Sequence, residues 1–295
     1  MAPMSSWRVA VFCLSGSLLA FSGRAQTPSP PPPQLTVQQY EEQFLLMVTP
    51  IEQWCGPSRL GTATGFFFIN ENRLFLVTNR HVVRDESTSS FPDKLQIKLH
   101  TNAVDHTQSA YYNIQLYRDG ISTWREEPGV DLVAMELSQV DMSRFVIRAF
   151  TPSFFVPANI VVATGDDVVV IGYPRGFSDT LHNYPVTRTG AIASAYPIPF
   201  NGRQLFLVDA RLHPGTSGSP VLTKPSSVLR TQTGMLHPGG ETTYFLGVNS
   251  GEVIFPGESS GLNGVWYASE VQSITSPSFK TATFADPNQP KKPQP

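Results

Sequence analysis

The chain has 295 residues, room for one large domain or two small ones, and its 40% hydrophobic and 11% aromatic content supports a substantial core. Charged residues make up only 15% and the formal net charge is −2. The sequence has no basic stripe of the kind that marks a nucleic-acid binder, so no nucleic-acid partner is expected.

Residues 1–25 have the make-up of a secretory signal. Arg8 supplies the positive start and Val9 to Phe21 an apolar run broken by Ser15, Gly16 and Ser17. Gly23-Arg24-Ala25 offers the small residues of a cleavage site. The run falls short of the roughly 20 residues that span a membrane. A secreted or periplasmic protein is therefore expected, with no membrane span after cleavage. Of the two cysteines, Cys13 lies in this segment and Cys55 comes after it. One remaining thiol cannot close an intramolecular disulfide. With no glycine-rich turn or paired base beside it, Cys55 reads as a structural or incidental thiol. Residues 26–39 form a proline-rich spacer built on Gln26 to Gln34, a composition that favours polyproline II over a packed core.

Short strands dominate the chain beyond the spacer. Gly61 to Ile69, Leu74 to Thr78, Leu95 to Leu99, Tyr111 to Tyr117 and Asp131 to Leu137 form a first set. Asp167 to Ile171, Val186 to Ala195, Gln204 to Asp209, Pro220 to Leu222, Thr243 to Val248 and Gly264 to Ala268 form a second. β-branched, aromatic and leucine residues fill them, and Gly, Pro, Asn and Asp punctuate the gaps. Thr36 to Leu46 and Ser269 to Ile274 are expected as short helices. The pattern predicts an all-β barrel or sandwich. A break near Met142 to Asn159 divides it into halves at 40–145 and 146–278. Ala285 to Pro295 is rich in proline and lysine, and a disordered tail is expected over 279–295.

Three stretches carry chemistry. In Gly215-Thr216-Ser217-Gly218-Ser219-Pro220-Val221 a serine stands beside glycines, which reach backbone angles other residues resist. Such a turn can expose a hydroxyl and aim successive N–H groups at one spot, where they stabilise an oxyanion; it also serves as an ordinary loop. Thr78-Asn79-Arg80-His81-Val82-Val83 ends a strand on a histidine, and Asp131-Leu132-Val133 opens one on an aspartate. A neutral histidine can take a serine's proton, and a carboxylate on its far nitrogen fixes the tautomer. The order His81, Asp131, Ser217, with steps of 50 and 86 residues, is one of the convergent solutions to this chemistry.

These motifs, with Val170-Ile171-Gly172-Tyr173-Pro174, resemble those of the trypsin-like serine peptidases, over residues 40–275. The likeness is nearest to HtrA-type and glutamyl endopeptidase-type bacterial members. The resemblance implies two six-stranded antiparallel β-barrels of the chymotrypsin-like fold with a cleft between them. It implies an exported serine endopeptidase working through an acyl-enzyme on protein or peptide substrates. Ser217 would be the nucleophile, His81 the general base then acid, and Asp131 its orienter. Backbone N–H groups of Gly215 and Ser217 would form the oxyanion hole, and Val248, Asn249, Ser250 and Gly251 would pair with substrate backbone. The rival reading is a catalytically silent module of the same fold that binds extended peptides.

The sequence also departs from the family. Thr216 stands where digestive enzymes carry the aspartate that receives a new N-terminus, which argues against that activation route. There is no disulfide framework. The residues after the second half leave no room for the peptide-binding domain of many HtrA-type proteins. His100, His106, His182, His213 and His237 read as loop or surface residues, although His213 could shape the pocket. Asp209 reads as structural, and Asp166-Asp167 as turn chemistry. No metal-ligand spacing occurs, so no metal and no cofactor is expected. For specificity, Arg211 at the pocket base would select acidic side chains, whereas Leu212 on its wall would make a shallow apolar pocket. Asn249 stands where glutamyl endopeptidases place a histidine reader, so the aliphatic reading is preferred.

Overall fold

The computed structural model describes residues 43–137, 142–255 and 258–288. The expected signal, the proline-rich spacer, residues 36–42 of the first expected helix and residues 289–295 of the tail lie outside these. Of that helix, residues 43–45 are helical.

The first half is one antiparallel sheet. In chain order its strands are β1 (Val48–Cys55), β2 (Ser58–Asn70), β3 (Arg73–Thr78), β4 (Lys94–His100) and β5 (Ser109–Gln115). A small hairpin, β6 (Tyr117–Arg118) and β7 (Ile121–Ser122), leads to β8 (Trp124–Glu126) and β9 (Val133–Glu136). Seven strands pair in the order β5-β4-β1-β2-β3-β9-β8. In β4, Leu95, Ile97 and Leu99 are buried while Lys94, Gln96 and Lys98 are half-exposed, the period-2 alternation of a sheet with one covered face. The sheet wraps a core of Ile51, Phe67, Leu76, Ile97, Trp124 and Met135. The strands number seven rather than the six expected, and the two ends of the order, β5 and β8, meet where Thr123 N–H donates to Leu116 C=O and Thr123 Oγ1 to Gln115 C=O, both at 2.9 Å.

β1 carries no strand signal in the sequence because Pro50 and alternating polar residues interrupt it. It is nonetheless central, pairing with both β2 and β4. Pro50 is tolerated because the β4 ladder begins only at Ile51, so the missing N–H removes no bond there.

The second half closes as expected. The strands β10 (Asp167–Gly172), β11 (Val186–Ile192), β12 (Leu205–Asp209), β13 (Pro220–Thr223), β16 (Phe245–Phe255) and β17 (Glu258–Tyr267) form a barrel in the order β10-β11-β12-β17-β16-β13. A side hairpin, β14 (Leu229–Thr231) and β15 (Gly234–Leu236), interrupts the series. Leu205 to Val208 are all buried, and β12 reads as an unbroken apolar run for that reason.

The halves meet on an aromatic seam. Phe150 stacks on Phe245 with ring centroids 5.1 Å apart, and Phe66 meets both edge-on at 5.7 and 5.4 Å. Phe44 and Phe154 pack against Phe150 from the other side. The division of the chain falls later than the sequence suggests. Phe150 N–H bonds to Phe67 C=O at 2.9 Å and Ile69 N–H to Phe150 C=O at 2.8 Å, so residues 146–150 belong with the first sheet. The C-terminal helix, Ala268–Thr275, buries Val271 and Ile274 in the shared core. Asn70 Nδ2 donates to Thr275 Oγ1 at 3.1 Å, tying that helix to β2.

The expectation of a disordered tail from residue 279 is corrected as far as residue 288. Phe284 lies parallel to Trp124 at 6.2 Å, and its backbone exchanges bonds with Ser122. Asp286 N–H reaches Gly120 C=O, and Asn288 Nδ2 donates to Phe91 C=O. A proline- and lysine-rich composition hid one large aromatic that finds an apolar seat.

Phe150, wholly buried between the halves, tests the seam. Phe150→Ala is expected to destabilise the fold by about 3–5 kcal/mol in urea denaturation, the cost of emptying an aromatic site that cannot collapse. A loss below about 1 kcal/mol would contradict that role.

Candidate active site

β3 ends at Thr78, and Asn79 starts a one-turn helix, Arg80–Val83. Asn79 has extended dihedrals, and its side chain faces away from the helix: Nδ2 donates to Asp131 C=O at 2.8 Å. The helix buries Val82 and Val83 and leaves His81 on its outer side, with a side-chain exposure of 35%. Asp131 precedes β9, which pairs with β3, so the two loops emerge side by side.

The Asp131 carboxylate accepts three bonds. His81 backbone N–H donates to Oδ1 at 3.0 Å, His81 Nδ1 donates to Oδ2 at 2.8 Å and Ser250 Oγ donates to Oδ2 at 2.5 Å. A carboxylate with three donors is held in one orientation. With Nδ1–H given to Asp131, a neutral His81 ring keeps an acceptor lone pair on Nε2.

The Ser217 turn is held by its carbonyls. Thr216 N–H and Oγ1 both donate to His213 C=O, at 3.1 and 2.7 Å. Arg175 N–H bonds Pro214 C=O at 2.6 Å, Thr64 Oγ1 donates to Gly215 C=O at 2.8 Å and Asn249 Nδ2 to Thr216 C=O at 3.0 Å. Thr64 N–H bonds Ser217 C=O at 2.9 Å. The N–H groups of Gly215 and Ser217, by contrast, have no hydrogen-bond partner among the described residues. Donors so placed can receive an incoming oxyanion.

The glycines are required sterically. Gly215 has φ +94°, and a Cβ there would meet Arg175 N at 2.6 Å and Tyr173 O at 2.8 Å. Gly218 has φ +85°, and its Cβ would meet the Thr64 carbonyl and the Thr78 hydroxyl.

Thr64 anchors the turn. Its carbonyl takes the Thr78 hydroxyl at 2.8 Å, and its own hydroxyl takes Tyr173 N–H at 2.9 Å. Ser217 is thereby held against β2 and the end of β3, three residues before His81. Gly218 N–H bonds Asn249 C=O at 2.9 Å, next to the Ser250 that touches Asp131. No hydrogen bond joins Ser217 Oγ to the His81 ring in this state; such contacts often tighten only when substrate is bound.

Among the residues expected to bind substrate, Val248 is buried and pairs with Pro220 and Trp266. Asn249 is fully buried, and its Oδ1 has no partner. Ser250 sits at a register shift before Gly251. The β13 ladder ends at Val248, and from Ser250 onward β16 pairs with β17 alone among the described strands. Leu212 packs against the barrel core with Val168 and Phe206. Arg211 is exposed and shares a surface depression with Asp167, Asp209 and Lys224. No hydrogen bond joins it to Ser217 among the described residues.

Sequence reading missed three roles: the Ser250 bond to Asp131, the Thr64 anchor, and the place of Cys55. The half-buried Cys55 lines a depression that His81 also lines. His100, His106 and His182 also gather with Tyr184. Among the described residues, no group of His, Cys, Asp and Glu has metal-binding geometry, and no helix is long and apolar enough to cross a membrane.

Gly218→Ala is expected to destabilise the fold by about 1–3 kcal/mol, because strained backbone and the fixed Thr64 carbonyl cannot both be accommodated. Thermal unfolding measures it, and an unchanged Tm would contradict the packing described.

A family model described as a trypsin-like peptidase domain matches residues 63–229, more than half of the chain. Among solved structures, an HtrA-type protease with a tripeptide is similar at 14% identity and TM-score 0.48, covering 80% of this chain and 61% of that one. A serine endoprotease from Yersinia pestis is similar at 13% identity and TM-score 0.47, covering 81% of this chain and 65% of that one. The chain thus spans under two thirds of the length of both.

Proposed function

We propose, for a chain that belongs to the trypsin-like peptidase domain family, that it is a serine endopeptidase in which Ser217, His81 and Asp131 form the catalytic triad. The observation that carries the reading is the pair of bonds from His81 to Asp131, which leaves Nε2 as the ring's proton acceptor.

In this reading Ser217 Oγ attacks the scissile carbonyl carbon as His81 Nε2 takes its proton. Asp131 stabilises the imidazolium without accepting the proton. The carbonyl oxygen becomes an oxyanion that receives the N–H groups of Gly215 and Ser217. Collapse expels the amine, which leaves with the proton from His81, and an acyl-Ser217 ester remains. Water, deprotonated by His81, then hydrolyses the ester and restores Ser217 Oγ–H. The free edge of β16 from Ser250 onward supports binding of an extended peptide as an added strand. Residues 1–25 support export of the protein to a secreted or periplasmic location.

Ser217→Ala is expected to reduce peptide hydrolysis on the order of 10⁶-fold with the fold retained, and His81→Ala nearly as much, since such residues act as a unit. A fluorophosphonate probe should label the wild type at Ser217 and not the variant. Absence of labelling would favour a silent peptide-binding module instead.

The exposed Arg211 and core-facing Leu212 support an apolar primary pocket. A peptide-library profile is expected to show graded preference for small and medium aliphatic residues before the cleaved bond, since one methylene is worth about 1–3 kcal/mol. Strong selection for Asp or Glu, lost in Arg211→Ala, would reverse that reading.

A further inference from the structure

The His81 ring has two flanks. On one, Asp131 is bonded to Ser250, from which the open edge of β16 departs. On the other, His81 lines a depression of about 580 Å³ together with Leu60, Asp85, Ser89, Ser90 and Asn288. The depression shares no lining residue with β16, so an extended peptide paired with that strand leaves it free for the residues beyond the cleaved bond.

The described residues give the depression one formal negative charge. Among the described residues, Asp85 is its only carboxylate, and apart from His81 no basic residue lines it. Asp85 Oδ1 accepts from Ser87 N–H and Oγ at 3.0 and 2.6 Å, and Oδ2 from Thr88 Oγ1 at 2.6 Å. Every donor is neutral. Partial burial raises its pKa, but these bonds outweigh that and hold the carboxyl below the ordinary range, so it is ionised at neutral pH.

The neighbouring cations are engaged elsewhere. Arg80 and Arg84 both pair with Glu86, at 3.0 and 2.8 Å, and the Arg84 guanidinium also covers the Phe284 ring at 4.4 Å. Asp85 itself has no ion-pair partner among the described residues.

The walls are held in place. Asp85 and Ser90 exchange backbone bonds, both at 2.9 Å. Asn288, delivered by the strap that Phe284 anchors on Trp124, bonds Phe91 C=O at 3.0 Å. A fixed, solvent-accessible carboxylate without a cation favours a cationic ligand group that can approach it.

We propose that this depression is a leaving-group-side subsite that takes a lysine or arginine at one of the first two substrate residues after the cleaved bond. The inference rests on the peptidase reading of the site and adds the class of substrate it prefers.

The test uses the full chain and peptides identical up to the cleaved bond, with Lys, Ala or Glu at each of the next two positions. At one position kcat/KM is expected to favour Lys over Ala by about three- to fivefold, the scale of a partly exposed ion pair, with Glu below Ala. The ratio should shrink in 1 M salt. It should approach one in Asp85→Asn and persist in Asp85→Glu. Ser89→Lys, which leaves the bonds to Asp85 intact, should also lower it. Hydrolysis with equal rates for Lys and Glu, or a Lys preference untouched by both Asp85→Asn and Ser89→Lys, would overturn this inference and leave the peptidase reading standing. Absence of hydrolysis and of fluorophosphonate labelling would overturn both.

Discussion

One carboxylate joins the two halves at the site. Asp131 takes two bonds from His81, on the one-turn helix after β3, and one from Ser250, on β16 of the barrel. An anion with a single donor could rotate; with three donors on two elements it is fixed, and it fixes them in turn. The His81 ring orientation depends on this one group, which through Ser250 also meets the point where the β16 edge departs.

Around it the protein spends its polar side chains on holding backbone. Thr64 is buried, yet each of its polar groups is used: hydroxyl to Gly215 C=O and from Tyr173 N–H, amide to Ser217 C=O, carbonyl from Thr78. A buried group left unpaired would cost free energy, so full pairing of this kind specifies one conformation. The carbonyls from His213 to Ser217 are all occupied. The N–H groups of Gly215 and Ser217 are left without a partner among the described residues, a polarity set by backbone geometry.

The aromatic seam supplies the stiffness beneath. Phe66, Phe150 and Phe245 come from β2, the crossover and β16, and they interlock at centroid distances of 5.1 to 5.7 Å. Offset and edge-on rings add specific geometry to their apolar burial. The strap from Phe279 to Asn288 extends the same principle outward, seating Phe284 between Trp124 and Arg84 and bringing Asn288 to the His81 flank.

The sequence alone was enough to read the all-β class, most strands and the His81, Asp131 and Ser217 stretches. Each is written in local pattern: alternation along one strand, or glycines at a turn that needs positive φ. The central strand β1 was not legible, because Pro50 and polar residues erase its alternation while pairing on both sides still stabilises it. Nor were the seven-stranded first sheet, the late crossover or the strap, which depend on strand pairing and on the seats that Phe150 and Phe284 find. Ser250 lies 119 residues from Asp131 and Thr64 lies 151 from Gly215. Serine and threonine carry no signal of partners that far away. Local chemistry is decided by neighbours in the chain, and only the packing of the two halves brings these distant donors to the groups they hold.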